Sequence, residues 1–245
     1  MRAGWPALEE AHVDGWVARF SGGITQRANS VLPLGMPADT GKALEDVERL
    51  YADRGLPTVF QLREDDAELD RVLAGRGYGF GSPTVIQAAQ VDDVINALGS
   101  HDVEIAEAAD PGWLDLWWAV DGRGDADALA VAAKILAGGP ALYATVRDAD
   151  GPAAVGRLAL VGEWGGVYCL AVRPDTRRRG LGGAVLAGLL GAGQERGINR
   201  SWLQVRAENA TARRLYQRAG YVDAGHYHYR SHRGQEPVQD VHAEA

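Results

Sequence analysis

Residues 177–184 read RRRGLGGA, three arginines followed at once by three glycines in four positions. Ahead of them VYCLAV (167–172) is a continuous apolar run, the pattern of a central buried strand. Behind them Leu181, Val185, Leu186, Leu189 and Leu190 recur at helical spacing as far as Gly197, which is placed to stop a helix. A strand, a short glycine-containing loop and a helix start offer free backbone N–H groups and the positive end of a helix dipole to an anion. Gly180, Gly182 and Gly183 let a ligand approach the backbone with no Cβ in the way, and Arg177, Arg178 and Arg179 add positive charge. The same arginines also read as a solvated face. A Walker loop needs GxxxxGK[ST] and a dinucleotide fingerprint needs GxGxxG; GLGGAVLAG matches neither.

Other chemistries find less support. Cys169 is the one cysteine, so an internal disulfide is excluded, and there is no CxxC or Cys/His cluster of the kind that binds zinc. No metal site is expected. Cys169 sits inside the apolar run and reads as a small core residue before it reads as a nucleophile. No Ser/His/Asp or Cys/His arrangement stands out. The formal charge of −8, although 23 of the 25 basic residues are Arg, argues against a general nucleic-acid surface. The N-terminus MRAGWPALEEAHVDG meets charge too early for a signal peptide, and AVLAGLL is too short to span a bilayer. A cytoplasmic protein with no membrane partner is the expectation.

The elements around the loop follow in a clear order. HDVEIAEA (101–108) alternates like a strand, and PGWLDLWWAVDG and ADALAVAAKILAGG look helical. ALYATVRD and AAVGRLALV are strands joined by a DADGP turn. After the glycine-rich loop and its helix, SWLQVRA is a strand, ATARRLYQRAG a short helix with Ala212, Leu215, Tyr216 and Ala219 on one face, and YVDAGHYHYRS a last strand. The tail beyond about Gly234 is polar and without period.

Sliding the chain over itself exposes a repeat. At an offset of 143, FQLREDDAELDRVLAGRGY (60–78) lies over LQVRAENATARRLYQRAGY (203–221). Six of 19 positions are identical, among them Gln61/Gln204, Arg63/Arg206 and Tyr78/Tyr221. Upstream, SVLPLG resembles CLAVRPD, and KALEDVERLYADRG resembles the helix ending in QERG. The chain reads as two copies of one α/β unit. Opposite the glycine-rich loop the first copy has GMPADTGK, where Pro37 removes an amide donor; Leu73 stands opposite Tyr216, and Asp66 opposite Asn209.

LAVRPDTRRRGLGGAVLAGLL and LQVRAENATARRLYQRAGY together resemble the GNAT superfamily of acetyl-CoA-dependent N-acetyltransferases. The shared order is a strand ending in Leu170, Ala171 and Val172, then RxxGxG/A, then Asn followed seven residues later by Tyr in NxxAxxLYxxxGY. The resemblance implies two GNAT-like units, each a mixed, mostly antiparallel sheet flanked by helices: a degenerate unit over 1–95, a catalytic unit over 96–233 and a loose tail over 234–245. It implies acetyl-CoA as co-substrate, with amides from Arg178 to Gly183, Leu181 included, on the pyrophosphate. It also implies that the strand edge at Leu170, Ala171 and Val172 pairs with the pantetheine arm, that Asn209 contacts that arm, and that Tyr216 is the general acid. A phenol of pKa near 10 can protonate a thiolate whose conjugate acid titrates near 8.5.

The implied acceptor is an amine of a small molecule, with an amino-acid α-amine such as that of glutamate as the alternative. A non-catalytic acyl-CoA-binding regulator is the reading from another class. A homodimer is left open. Relatives that acetylate a ribosomal protein have LEVRASN, whose Glu is the base, where this chain has LQVRAEN with Gln204. Glu163, Glu208 and His228 are the remaining candidates for a base. Tyr216 reads equally as a core aromatic, Asn209 as a helix N-cap, and Trp113 and Trp117 as a core stripe, with Trp118 and Asp121 left to line an acceptor pocket.

Overall fold

In a computed structural model that describes residues 2–99, 101–122 and 124–232, the chain folds around an eight-stranded sheet beside a three-stranded one. The smaller sheet holds β1 (Glu9–Val13), β2 (Trp16–Phe20) and β3 (Leu32–Pro33) in that order. The strands of the larger one are β4 (Val59–Arg63), β5 (Tyr78–Gln90), β6 (Glu104–Ala106), β7 (Ala141–Asp148), β8 (Gly151–Val161), β9 (Trp164–Val172), β10 (Arg200–Arg206) and β11 (Val222–His232). Their spatial order is β4-β11-β5-β10-β9-β8-β7-β6. Every ladder is antiparallel except β9 with β10. The expected mixed, mostly antiparallel α/β fold is therefore what forms.

Seven α-helices cover the sheets among the described residues: α1 (Thr40–Ala52), α2 (Ala67–Gly75), α3 (Val91–Leu98), α4 (Pro111–Asp121), α5 (Ala126–Leu136), α6 (Leu181–Gln194) and α7 (Ala210–Arg218). α6 is apolar almost all round because it lies between the sheet and α3, and Val185, Leu186, Leu189 and Leu190 are fully buried there. Its close approach explains Gly156 on β8: a Cβ there would meet Val185 Cγ1 at 2.6 Å. α4 covers the opposite face. Asp110 caps it by accepting from Trp113 N at 2.9 Å, and Pro111 pre-sets its first turn. Trp113 and Trp117 pack there against Tyr143, Tyr168 and Trp202, so the tryptophan stripe is core.

β5, a 13-residue strand, lies between β10 and β11, and β11 in turn lies between β5 and β4. In the β10–β5 ladder Arg206 opposes Thr84 and Val205 opposes Val85. In the β4–β11 ladder Arg63 opposes Tyr227 and Leu62 opposes His228. All five pairs of the second ladder follow from pairs of the first at the 143-residue offset. The smaller sheet reaches the larger at one parallel bridge, Val31 with Phe60, and Phe60 lies 143 positions before Leu203, where the parallel β9–β10 ladder ends.

The division expected between residues 95 and 96 falls inside α3, so the chain passes from one half to the other along a packed helix. The tail expected over 234–245 lies outside the described residues.

Candidate active site

β9 and β10 run parallel only from Arg200/Trp164 to Leu203/Val167. Beyond that point they diverge, leaving Leu170, Ala171 and Val172 without a partner on the β10 side, while β8 still pairs with Ala171 and Val172 on the other. Divergence begins at a bulge. β8 pairs Arg157 with Tyr168 and Val155 with Ala171, so Cys169 and Leu170 share the space opposite Gly156, and Cys169 takes φ +54. A non-glycine residue held there is a strained backbone at the mouth of the opening.

The glycine-rich loop closes the end of this opening. Arg173 anchors its start, with Nη2 2.7 Å from Asp148 Oδ2 and Nε 2.7 Å from Asp175 Oδ1. Thr176 Oγ1 donates to the Ala153 carbonyl at 3.1 Å, and Arg177 Nε reaches the Val172 carbonyl at 3.4 Å. Arg178, at φ +62, and Arg179 are exposed. Gly180 caps α6 at φ +78, a conformation that L side chains adopt at a cost. The following N–H groups, from Leu181 to Gly183, lie in the first turn, where no carbonyl of the helix can reach them.

Gly182 is informative because the protein does not require it for packing. A Cβ there would meet Leu215, Val172 and Leu170 at 3.6 to 4.0 Å, ordinary contact distances. The first turn of α6, the end of β9 and α7 thus converge on one spot, where the glycine leaves the loop amides open to an approaching group. The residues fit the pyrophosphate of a CoA ester.

Asn209 caps α7 by accepting from Ala212 N at 3.0 Å. Tyr216 projects from the buried face of the same helix, its ring 5.9 Å from that of Tyr221. Among the described residues nothing is hydrogen-bonded to its hydroxyl. Burial raises the phenol above its usual pKa, and the Asp121 carboxylate adds to the rise. Asp121, 6% exposed at the end of α4, acts in the same sense on Cys169, whose thiol burial already raises. Asp121, at the end of α4, thus acts on Tyr216 and Cys169 alike. Cys169 is a poor thiolate and fits the core reading.

The base candidates lie elsewhere. Glu163 is in the exposed β8–β9 turn, where β9 and β10 are still joined. Glu208 is exposed and paired with Arg206. His228 Nε2 is 2.7 Å from Asp70 Oδ1, on the β4 side of the sheet. Gln204 is the first residue of β10 past the last β9 pair, and its Oε1 accepts from the Tyr227 hydroxyl at 3.1 Å.

A cluster that the motifs did not reveal adjoins Gln204. A cavity of about 190 Å³ opens between β3, β4, β10 and β11, with Arg2, Arg19, Arg27 and Arg63 on its wall together with Gln204 and Tyr227. Arg63 carried a signal as an identity of the 143-residue repeat, and Arg19 sits in WVARF, a strand whose five residues are all buried. Arg2 and Arg27 come from segments with no period of their own. Among the described residues no helix is long and apolar enough to cross a membrane, and no group of three or more His, Cys, Asp or Glu is placed to hold a metal ion.

A family model described as the C-terminal part of the probable histone acetyltransferase Rv0428c matches residues 1–231. The uncharacterized N-acetyltransferase YobR of Bacillus subtilis is 24% identical over 234 residues, 93% of this chain and 94% of its own length. A GCN5-related N-acetyltransferase from Kribbella flavida superposes with a TM-score of 0.69 at 18% identity, over 95% of this chain and 92% of that one. A tandem GNAT protein from the clavulanic acid biosynthesis pathway superposes with a TM-score of 0.65 at 11% identity, over 82% of this chain and 72% of that one.

Proposed function

The chain belongs to the Rv0428c C-terminal family and is a GNAT-family acetyltransferase, and on that premise we propose that it moves acetyl from acetyl-CoA to the amine of a small molecule by direct attack in a ternary complex. The observation that carries this reading is the divergence of β9 from β10 directly in front of the Gly180-capped start of α6. Leu170, Ala171 and Val172 offer a free strand edge to the amides of the pantetheine arm. The first-turn amides up to Gly183, with Arg177, Arg178 and Arg179 nearby, hold the pyrophosphate.

Bound there, acetyl-CoA supplies an activated acyl group as its thioester. Tyr216, held neutral by burial, hydrogen-bonds the departing thiolate and hands it a proton, and its phenol regains one from the water that takes the proton the amine loses. Asn209 orders the start of α7 and so the position of Tyr216. Gln204 cannot take a proton, so the attacking amine arrives unprotonated or loses its proton through water.

The halves 1–95 and 96–233 are read as two GNAT-like units, the first without a cofactor site. The 143-residue register of the two outer ladders supports this, as does the likeness to a tandem GNAT protein. Calorimetric titration with acetyl-CoA tests both statements. The expected result is one site per chain, abolished by Gly182→Glu, whose carboxylate would face the pyrophosphate while its Cβ meets only ordinary contacts. Two sites would overturn the silent first unit, and none would overturn the cofactor assignment.

A further inference from the structure

The arginine-walled cavity beside Gln204 adjoins the opening between β9 and β10 but shares none of its glycine-rich loop, and its charge is out of character for a chain of net charge −8. Arg19 is the most telling member. It is 2% exposed, and its guanidinium donates only to neutral oxygens: Nε to the Ser30 carbonyl at 2.9 Å, and Nη2 to Ser30 Oγ at 2.6 Å and Gln61 Oε1 at 2.9 Å. A guanidinium cannot shed its proton in this pH range, and the one carboxylate that acts on Arg19, Glu10, is already joined to Arg2, so positive charge is left over at this wall. Arg2 is joined to Glu10, and Arg63, exposed at the rim, has Asp66 at 3.6 Å. Arg27 lies over the rings of Trp5 and Tyr168, 5.7 and 5.6 Å from their centroids. Four guanidinium groups thus gather on one wall, and the most deeply buried of them is set among neutral oxygens.

The cavity also touches the reaction path. Gln204 lines it and is the first β10 residue past the β9 ladder. Arg27 lines it and acts electrostatically on Cys169, the bulged residue where the opening begins. An acceptor lodged here would have one end at the thioester and the other among the arginines. A 150 Å³ cavity takes a benzene-sized guest, so about 190 Å³ suits a molecule of amino-acid size.

The geometry points to an acceptor amine that also carries an anionic group, with Arg19, Arg27 and Arg63 as its specificity-determining residues. This rests on the acetyltransferase reading of the neighbouring opening. Guanidinium groups pair with carboxylate and with phosphate alike, so the shared chemistry is an anion one amino-acid length from a primary amine. The arginines come from the first half of the chain, which thereby closes and charges the acceptor pocket of the second.

The test uses the full chain saturated with CoA and four probes: L-glutamate, L-glutamine amide as its uncharged-side counterpart, O-phosphoethanolamine and ethanolamine. Melting temperature reads binding, and release of the CoA thiol from acetyl-CoA reads turnover. The expected result is a rise in melting temperature with glutamate or phosphoethanolamine that their uncharged counterparts do not give; which of the two acts separates carboxylate from phosphate. Arg63→Gln and Arg27→Gln should each reduce that binding at least ten-fold while leaving acetyl-CoA affinity within two-fold. Equal shifts from charged and uncharged probes, no shift from either anion, or indifference to both substitutions would overturn the inference. So would a second acetyl-CoA per chain lost in Arg63→Gln, which would give the cavity to a nucleotide instead. Acetyl-CoA binding without anion binding defeats this inference alone; anion binding without acetyl-CoA binding defeats the acetyltransferase reading, and with it the acceptor role, leaving the cavity an anion site only.

Discussion

Thr84 and Tyr227 stand opposite each other where β5 meets β11, and they are separated by the same 143 residues that relate Gln61 to Gln204. Here the register of the β5–β11 ladder coincides with the 143-residue offset. On either side of it each half lends its last strand to the other: β5 pairs with β10, and β11 with β4. The two halves therefore share one hydrogen-bonded ladder.

A chain reduced to residues 96–232 should consequently fail to fold. It would keep every element of the glycine-rich site but lose β5 from the middle of the sheet, baring the facing edges of β10 and β11. Circular dichroism and urea unfolding would report it, with no cooperative transition expected. A soluble fragment that still binds acetyl-CoA would show the halves to be independent.

Tyr216→Phe should lower kcat by about 100-fold or more, the scale of a lost general acid, with the acetyl-CoA dissociation constant nearly unchanged. Because burial raises the phenol, Tyr216 stays protonated throughout the neutral range, and the wild-type rate should show no fall due to its ionisation below pH 10. Unchanged turnover in the variant would leave Tyr216 as a core aromatic only.

Arg157 is wholly buried and bonds the Gly4 carbonyl at 2.9 Å, the Leu136 carbonyl at 3.0 Å and the Tyr143 hydroxyl at 3.3 Å. It ties the N-terminal segment to β8. Arg157→Ala strips three buried acceptors of a charged donor and should cost about 3 kcal/mol or more in urea unfolding. A loss under about 1 kcal/mol would mean that water replaces it.

Asp70 is held down to about 2 by its bonds to Arg230, with His228 adding to the effect. A carboxylate depressed in the folded state contributes stability that is present above its unfolded pKa near 3.9 and lost as the pH falls toward 2. Asp70→Asn should therefore destabilise at pH 7 and flatten the decline in melting temperature between about pH 4 and 2. An equally steep decline in the variant would place the acid sensitivity elsewhere.

Much of the candidate site was legible in the sequence because its parts are local. Three glycines after an apolar run, Asn209 one residue before ATARRLY and the helical spacing of Val185, Leu186, Leu189 and Leu190 each report the backbone within one or two turns. The repeat was legible for the same reason, since Gln61/Gln204 and Tyr78/Tyr221 occupy equivalent places on like elements. β5 was not legible: its YGFGSPTVIQAAQ contains Gly79, Gly81 and Pro83 and alternates only in part.

The sequence by itself determined the class of fold and the strand, glycine-rich loop and helix at residues 167–194, because local spacing and residue type decide those. Tertiary structure alone decided that β5 enters between β10 and β11, that β9 leaves β10 after Val167, and that Arg19, Arg27 and Arg63 meet Gln204 across about 140 residues or more of chain. Which strand edge accepts which partner depends on backbone hydrogen-bonding groups that every residue carries alike, so no side-chain pattern announces it. A charge cluster gathered from four separate segments exists only once those edges have joined.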